Sequence, residues 1–477
     1  MTDESSVHTV VVGAGSGGLT VAVGVAARGH RVALVEERDV GGDCTNVGCV
    51  PSKTLIHQAR LLGPGGGRAA LAHVRARRDS LRDRETREFG QLPGVDLIRG
   101  RARLLPGRRV LVTAADGTGT TLTARHVVVA TGARPRTVEV PGLPAHRSLT
   151  NETVFDLEDA PAHLAVLGGG VIAMELAFAF RRLGSRVSVV TPRDRVLERF
   201  PPEVAEVLAG SLRDRGIDVH LGCVADSYDE GSQALTLRPV RATGPGTVLS
   251  GVDRVLQAVG RRRATDGLGL AEAGVRVDAA GAVVTDGWGR TTARGVWAVG
   301  DVTATAAHTH AANAQGRRVA QRIGLPWLPA LGREPSYPTA TFAEPEVATA
   351  GLGPDEIARR YHPGAVTTLR VDLARETDRG YTDDLVAGFI RVDALRLTGR
   401  ILGAVVVGPR ASETVTQLSV AIAGGVSLHR LFRVVQPYPT YASGIQRVAD
   451  AFLAGTLPHL PRELAAYLRH RWARPPR

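Results

Sequence analysis

The chain has 477 residues, 43% of them hydrophobic, with 59 Lys+Arg against 47 Asp+Glu and a net charge of +12. That length calls for more than one domain, and the composition is that of a chain that buries its own cores. The basic excess would suit nucleic acid, but aromatics are only 4% and the arginines are scattered, so no base-stacking surface is expected. No apolar run is long enough for a membrane-spanning helix. Three cysteines do not make a disulfide scaffold, and Met1-Thr2-Asp3-Glu4 lacks the basic-then-apolar pattern of a signal peptide. The expectation is a cytoplasmic chain, in which a disulfide is catalytic rather than structural.

His8 to Val12 is a β-branched run that reads as a buried strand. Gly13-Ala14-Gly15-Ser16-Gly17-Gly18 follows, then the helical pattern from Leu19, then a second strand, Arg31 to Val35, ending at Glu36. Strand, glycine turn, helix, strand and acid in this register predict a dinucleotide site. Gly13 makes the turn, Gly15 lets the backbone approach a pyrophosphate, Gly18 lets helix and strand pack, and Glu36 meets a ribose. The pyrophosphate would sit on the helix N-terminus, where free N–H groups face it.

Gly41-Gly42-Asp43-Cys44-Thr45-Asn46-Val47-Gly48-Cys49-Val50-Pro51-Ser52-Lys53 comes next, with two of the three cysteines and the only lysine in the chain. A chain that otherwise uses arginine keeps one compact ammonium here. Inert buried thiols would also fit, whereas zinc sites use closer pairs and further ligands. On a regular helix, residues five apart lie more than about 7 Å apart at Cα, too far for a disulfide, so a redox pair requires irregular backbone between them. Gly41, Gly42 and Gly48 permit it.

Residues 54 to 88 read as helix broken at Gly63-Pro64-Gly65-Gly66-Gly67, and 95 to 125 as strands with turns at Pro106-Gly107 and Asp116-Gly117. A second dinucleotide unit begins at Leu164-Ala165-Val166-Leu167, with Gly168-Gly169-Gly170-Val171-Ile172-Ala173 as its turn, Ala173 standing for the third glycine. Its next strand, Arg186 to Val190, runs into Thr191-Pro192-Arg193-Asp194-Arg195 with no terminal acid. Arg193 and Arg195 favour a 2′-phosphate, hence NADPH over NADH, although Asp194 and Glu198 stand close by. His308 and His310 lack a third ligand at useful spacing, so no metal is expected.

The cysteine stretch resembles the active-site motif of the class I pyridine nucleotide-disulfide oxidoreductases, a family that includes glutathione reductase, dihydrolipoamide dehydrogenase and mercuric reductase. Its wording is closest to the mercuric reductase-like members, and the resemblance runs from about residue 8 to about residue 450. It implies an α/β fold of two Rossmann-like dinucleotide-binding domains and a C-terminal α+β dimerisation domain. The expected limits are 1–150 with 285–330 for FAD, 151–284 for NAD(P), 335–455 for the interface, and a basic tail at 456–477 that could touch an acidic partner. FAD would be held by Gly13, Gly15, Gly18, Glu36, Gly42, Thr131, Gly132, Gly300, Asp301 and His310. NAD(P)H would be held by Gly168, Gly170, Arg193, Arg195 and Gly260. The resemblance further implies a Cys44–Cys49 disulfide, with Cys49 against the flavin as a charge-transfer thiolate and Cys44 toward substrate. Lys53 would pair with Glu175 beside the flavin, and a homodimer would share its active sites between subunits. Cys223 is expected in the core.

The departures are local. Arg262-Arg263-Ala264-Thr265 replaces the usual Pro and Asn after Gly260-Arg261. In Val435-Gln436-Pro437-Tyr438-Pro439-Thr440-Tyr441-Ala442-Ser443, Tyr438 and Ser443 stand where the family's disulfide reductases carry an acid–base His and Glu. Mercuric reductase has tyrosine there, but its C-terminal cysteine pair is absent. The expected function is reduction of a disulfide or other soft electrophile, with Tyr438 as candidate acid. The alternatives are a metal-ion reductase of the mercuric type and a flavin-binding partner protein without thiol turnover.

Overall fold

The computed structural model describes residues 4–241, 246–305, 307–328 and 336–470. Pro335 and the tail from Arg471 lie outside the described residues. The first unit opens with β1 (Glu4–Val12), α1 (Ser16–Ala26) and β2 (Val32–Glu36). Between the glycine turn and the rest of the sheet lie α2 (Gly42–Asn46), α3 (Cys49–Leu62) and α4 (Gly67–Gly90). The break expected at residues 63–67 is present, and Gly63 adopts a positive φ of 67° there.

Strands β3 (Val95–Arg99), β4 (Arg101–Leu105), β5 (Arg109–Thr113) and β6 (Gly119–Val129) follow. They join β1 and β2 in the order β3-β2-β1-β6-β5-β4. The β3-β2-β1-β6 half is parallel, and its inner strands carry apolar runs because both faces are covered. One is covered by α1 and the helix Thr309–Gly324, the other by β4, β5 and the segment around Leu268, Leu270, Val275 and Val283. Val10, Val11, Val127, Val128 and Val129 are fully buried.

The chain leaves this unit through β7 (Ala133–Pro135) and, after β8 (Ser148–Leu149), builds the second. That unit consists of β9 (His163–Leu167), α5 (Val171–Arg182), β10 (Arg186–Thr191), α6 (Pro202–Asp214) and β11 (Ile217–Leu221). A three-stranded antiparallel sheet, β12 (Cys223–Asp229), β13 (Ala234–Pro239) and β14 (Thr247–Leu249), precedes β15 (Arg254–Gln257). The main sheet runs β11-β10-β9-β15-β8, all parallel. Cys223 opens β12 half-buried, its thiol donating to the Leu221 carbonyl at 3.4 Å, so it sits at the margin of this core rather than inside it.

The return to the first unit is β16 (Arg261–Arg263), antiparallel to β7, so the outgoing and incoming crossovers pair with each other. The arginine run that replaces the usual Pro and Asn forms this short strand, with Arg261 opposite Pro135 and Arg263 opposite Ala133. β17 (Val296–Ala298) adds to β6 of the first sheet, and α7 (Thr309–Gly324) packs along α1.

The third unit is an antiparallel sheet, β18 (Thr339–Thr341), β19 (Glu346–Gly351), β20 (Val366–Asp372), β21 (Phe389–Leu395) and β22 (Ile401–Gly408), ordered β18-β19-β22-β21-β20. The helices Ala411–Ala423 and Ser443–Thr456 pack on it. One apolar cluster joins the units. Leu55, Ile56 and Ala59 of α3 and Leu71 of α4 pack with Met174 and Phe178 of α5 and with Phe389, Val405 and Val407 of the third sheet. The cysteine-bearing helix is thus wedged against the second and third units by its apolar face.

Candidate active site

Cys44 lies in the single-turn helix α2 and Cys49 is the first residue of α3, with the break at Val47 and Gly48 between them. Gly48 has ψ of −111°, and a Cβ there would meet the Asp43 carbonyl oxygen at 2.7 Å. That kink brings two sulfurs, which one continuous helix would separate, within hydrogen-bonding reach of each other. Both cysteines are reduced, Cys44 half-buried and Cys49 exposed.

The two thiols are driven apart in acidity. Cys49 is lowered to about 6, first because the Cys44 thiol donates to it, then because the Thr309 hydroxyl and the Lys53 ammonium favour its anion against the cost of burial. Cys44 is pushed up by that same hydrogen bond and by burial. Thr309 Oγ1 lies 3.3 Å from Cys49 Sγ and opens α7, so the sulfur faces the N-terminal ends of two helices, α3 and α7. Helix N-termini stabilise thiolates.

Lys53 is one turn along α3, its Nζ 2.7 Å from Glu175 Oε2 on α5. Glu175 is buried, and its other oxygen accepts the Phe342 backbone N–H at 3.0 Å. The Phe342 ring lies 4.7 Å from Lys53 Nζ. His308 caps α7 and stacks on His310 with ring centroids 5.3 Å apart. Burial, His310 and Lys53 hold His308 below the ordinary imidazole range, hence neutral at pH 7. His310 Nε2 donates to the Pro338 carbonyl at 2.6 Å.

The two glycine turns test the fit to dinucleotides. A Cβ on Gly13 would stand 2.5 Å from the Ala130 oxygen, one on Gly18 1.9 Å from the Gly13 oxygen, and one on Gly168 2.3 Å from the Ala258 oxygen, so these positions are small for internal packing. Gly15 and Gly170 differ. A Cβ would meet only the Gly42 Cα at 3.8 Å at the first and nothing within 4 Å at the second, yet both are glycine at the mouth of a helix N-terminus. Room left on the outside of both turns is what a pyrophosphate approaching the backbone needs. Gly42 completes the first cradle, its own Cβ position lying 2.7 Å from Gly15 Cα.

Glu36 accepts Ala14 N at 2.6 Å and Arg38 N at 2.7 Å, and burial raises its pKa despite them. Asp301, on the turn after β17, carries no hydrogen bond among the described residues. It has only a 3.9 Å contact to Arg261 Nε, and burial raises its pKa. An acceptor so placed suits a polyol or ribose hydroxyl. Thr131 donates to the Ala264 carbonyl at 2.7 Å, and Gly132 and Gly260 bond the same paired crossovers. The residues present fit FAD at the first turn and a pyridine nucleotide at the second.

Arg193 and Arg195 lie beyond β10, where Arg193 Nε pairs with Glu198 at 3.2 Å and Arg195 donates to the Glu198 carbonyl at 3.0 Å. Asp194 is turned to Arg241 at 3.2 Å. The structure thus brings Cys44, Cys49, Lys53 and Glu175 together and leaves Tyr438 apart. Tyr438 is 74% exposed on the loop before the helix at Ser443, its hydroxyl donating to Asp378 at 2.8 Å. Thr309, Phe342 and the Asp43–Arg261 ion pair were not singled out from sequence.

Two family models match the chain: pyridine nucleotide-disulphide oxidoreductase over residues 7–316, and the dimerisation domain of the same family over 337–449. Dihydrolipoyl dehydrogenase 3 of Haloarcula marismortui is 32% identical over 94% of this chain and 96% of its own. Mercuric reductase of Streptomyces lividans is 30% identical over 93% and 95%. Among solved structures, the Cu(II) complex of the HOCl-induced flavoprotein disulfide reductase RclA from Escherichia coli superposes with a TM-score of 0.84. It has 25% identity and covers 94% of this chain and 99% of that one. The paired thiols, the two dinucleotide turns and these matches together place the chain in the class I pyridine nucleotide-disulfide oxidoreductase family.

Proposed function

We propose that the protein reduces a disulfide or another soft electrophile through Cys44 and Cys49, at the expense of NADPH and with bound FAD. The observation that carries this reading is the pair of sulfurs in mutual hydrogen-bond reach, one acidified and one not, beside a lone lysine paired to a buried glutamate. FAD, when bound, supplies the two-electron link between the nicotinamide and the sulfurs. The cradle of Gly13, Gly15, Gly18 and Gly42, with Glu36, Asp301, Thr131, Gly132 and His310, holds it. Lys53 keeps a positive charge where negative charge develops.

For a disulfide substrate, the Cys44 thiol passes its proton to the Cys49 thiolate it already donates to as it attacks one sulfur, and the leaving thiolate takes a proton. Cys49 then attacks Cys44, forming the intramolecular disulfide and releasing the second thiolate, which is protonated in turn. The acid is the partner subunit's Tyr438, in place of an imidazole. The dimerisation-domain match supports a homodimer with shared sites. Anaerobic titration with NADPH tests the reading. The first two electrons are expected to bring up long-wavelength thiolate–flavin absorbance, and two more to remove it as the flavin itself is reduced (two for each redox group); an end point of two electrons with no such band on the way would exclude thiol turnover.

NADPH is the preferred donor because Arg193 and Arg195 stand where an acid would meet a 2′-hydroxyl. Replacing both by glutamine should lower kcat/KM for NADPH by about tenfold and leave NADH unchanged, as expected for the loss of an exposed charge-assisted contact. Steady-state kinetics with the two nucleotides decide it. A metal-ion reductase is the second reading, favoured by relatives named mercuric reductase and by Tyr438. Mercury-stimulated NADPH oxidation is its test.

A further inference from the structure

β18 belongs to the dimerisation domain, and the residues that follow it, Phe342-Ala343-Glu344, lie on the redox centre. Phe342 touches both members of the Lys53–Glu175 pair, by its ring 4.7 Å from Nζ and by its N–H on Glu175 Oε1 at 3.0 Å. Two residues on, Glu344 is 7% exposed and receives three guanidinium groups. Arg182 is bidentate through Nε and Nη2 at 2.5 and 2.8 Å, Arg215 Nε is at 3.0 Å, and Arg60 Nε is at 3.3 Å. Ser211 of α6 donates to the Glu344 carbonyl at 2.5 Å. Burial acts to raise this carboxyl, but Arg182 and Arg215 outweigh it and the group lies below its ordinary range, so it is an anion at any working pH.

The spacing on the two helices is the same. Arg60 follows Lys53 by seven residues on α3, and Arg182 follows Glu175 by seven on α5. Seven residues are two turns with only about 20° of drift, so each arginine shares a face with its partner about 10 Å farther along. One short segment therefore crosses both helices at two levels: the active-site pair at one end, the arginine clamp at the other.

We infer that Phe342–Glu344 is a strap: the anchoring of Glu344 by Arg60, Arg182 and Arg215 holds Phe342 against Lys53 and Glu175, and so fixes the ammonium one turn along α3 from Cys49. The inference rests on the active-site reading above. Phe342 and Glu344 are positioning residues, since neither touches a sulfur. Lysine is a flexible four-carbon stem, and Lys53 is 35% exposed, so its place is set by what surrounds its head. The Phe342 N–H occupies one oxygen of Glu175 and leaves the other for Nζ, while the ring face attracts the cation. The charged or titratable groups around the sulfur and the ammonium are Cys44, Glu175 and the neutral His308.

The test is the pH dependence of Cys49 alkylation by iodoacetamide in the reduced, flavin-loaded full-length protein, followed by mass spectrometry. Phe342→Leu keeps bulk and anchor but removes the ring; Glu344→Gln keeps the ring but removes the anchoring charge; Phe342→Tyr restores a ring. The midpoint should rise by about half a unit to one unit in Phe342→Leu and Glu344→Gln. At the wild-type midpoint that is a rate loss of about two- to fivefold. Phe342→Tyr should return to the wild-type profile. Midpoints unchanged in Phe342→Leu would overturn the strap even if Glu344→Gln fails to fold, leaving the segment as domain packing alone. A wild-type profile with no thiol titrating below the ordinary range would overturn the strap and the active-site reading together.

Discussion

Cys44→Ser and Cys49→Ser each lose disulfide-reducing turnover by at least about a thousandfold, because a hydroxyl cannot form the sulfur–sulfur bond that stores two electrons between nicotinamide and substrate. The two variants differ in what they keep. Cys44→Ser replaces one hydrogen-bond donor to Cys49 by another, a hydroxyl, and keeps Thr309, Lys53 and two helix ends around its sulfur, so it still presents a thiol that alkylates rapidly near neutral pH. Cys49→Ser retains only the Cys44 thiol, which burial and the Glu85 carboxylate still hold up, and its alkylation near pH 7 should be slower by more than about tenfold. Turnover assays and mass spectrometry of the alkylated protein check both halves. Wild-type turnover in either variant, or equal alkylation of the two, would contradict the assignment.

Gly18→Ala should yield protein largely devoid of flavin, with a melting temperature several degrees lower. The added carbon would stand 1.9 Å from the Gly13 oxygen and 3.2 Å from Ala130 Cβ, so α1 must move away from the turn it follows. The turn cannot yield to it. Gly13 holds a positive φ of 104°, and its own Cβ position is 2.5 Å from the Ala130 oxygen. Overpacking of this kind costs about 1–3 kcal/mol, and backbone collision puts it at the upper end. At about 2–4 °C per kcal/mol for a unit of this size, the shift is readily measured by calorimetry, and flavin content by absorbance. Gly170→Ala is the contrast. Nothing lies within 4 Å of its Cβ and its φ is −86°, so the fold should keep its stability within about 0.5 kcal/mol while pyridine nucleotide binding weakens. A Gly18→Ala protein with full flavin and unchanged melting would show that the turn has slack.

Much of the architecture could be read along the chain because its signals are local. A glycine turn between a β-branched strand and an apolar helix is a steric requirement of adjacent residues, and both copies were visible as such. The kink between the cysteines followed from the reach of a disulfide, and Val47 and Gly48 supply it. The lone lysine marked its own position by being an exception. Glu198 shows where such reading thins: it was noted as a neighbour of the arginines, but the ion pair with Arg193 depends on the turn after β10.

The amino-acid order by itself determined where the dinucleotide turns, the redox pair and the solitary ammonium stand, since each is set by contacts within a few residues. Only the tertiary structure decided what surrounds them: Thr309 on the Cys49 sulfur, Phe342 on Lys53, three arginines on Glu344 and Arg261 between Asp43 and Asp301. Apart from Arg261 and Asp301, these partners lie more than a hundred residues apart, and no periodicity or spacing encodes which of 58 arginines reaches which acid. Charge at the surface is unspecific, and it becomes specific only where packing of α3 against α5 and the third sheet brings particular guanidinium groups within reach of one buried carboxylate.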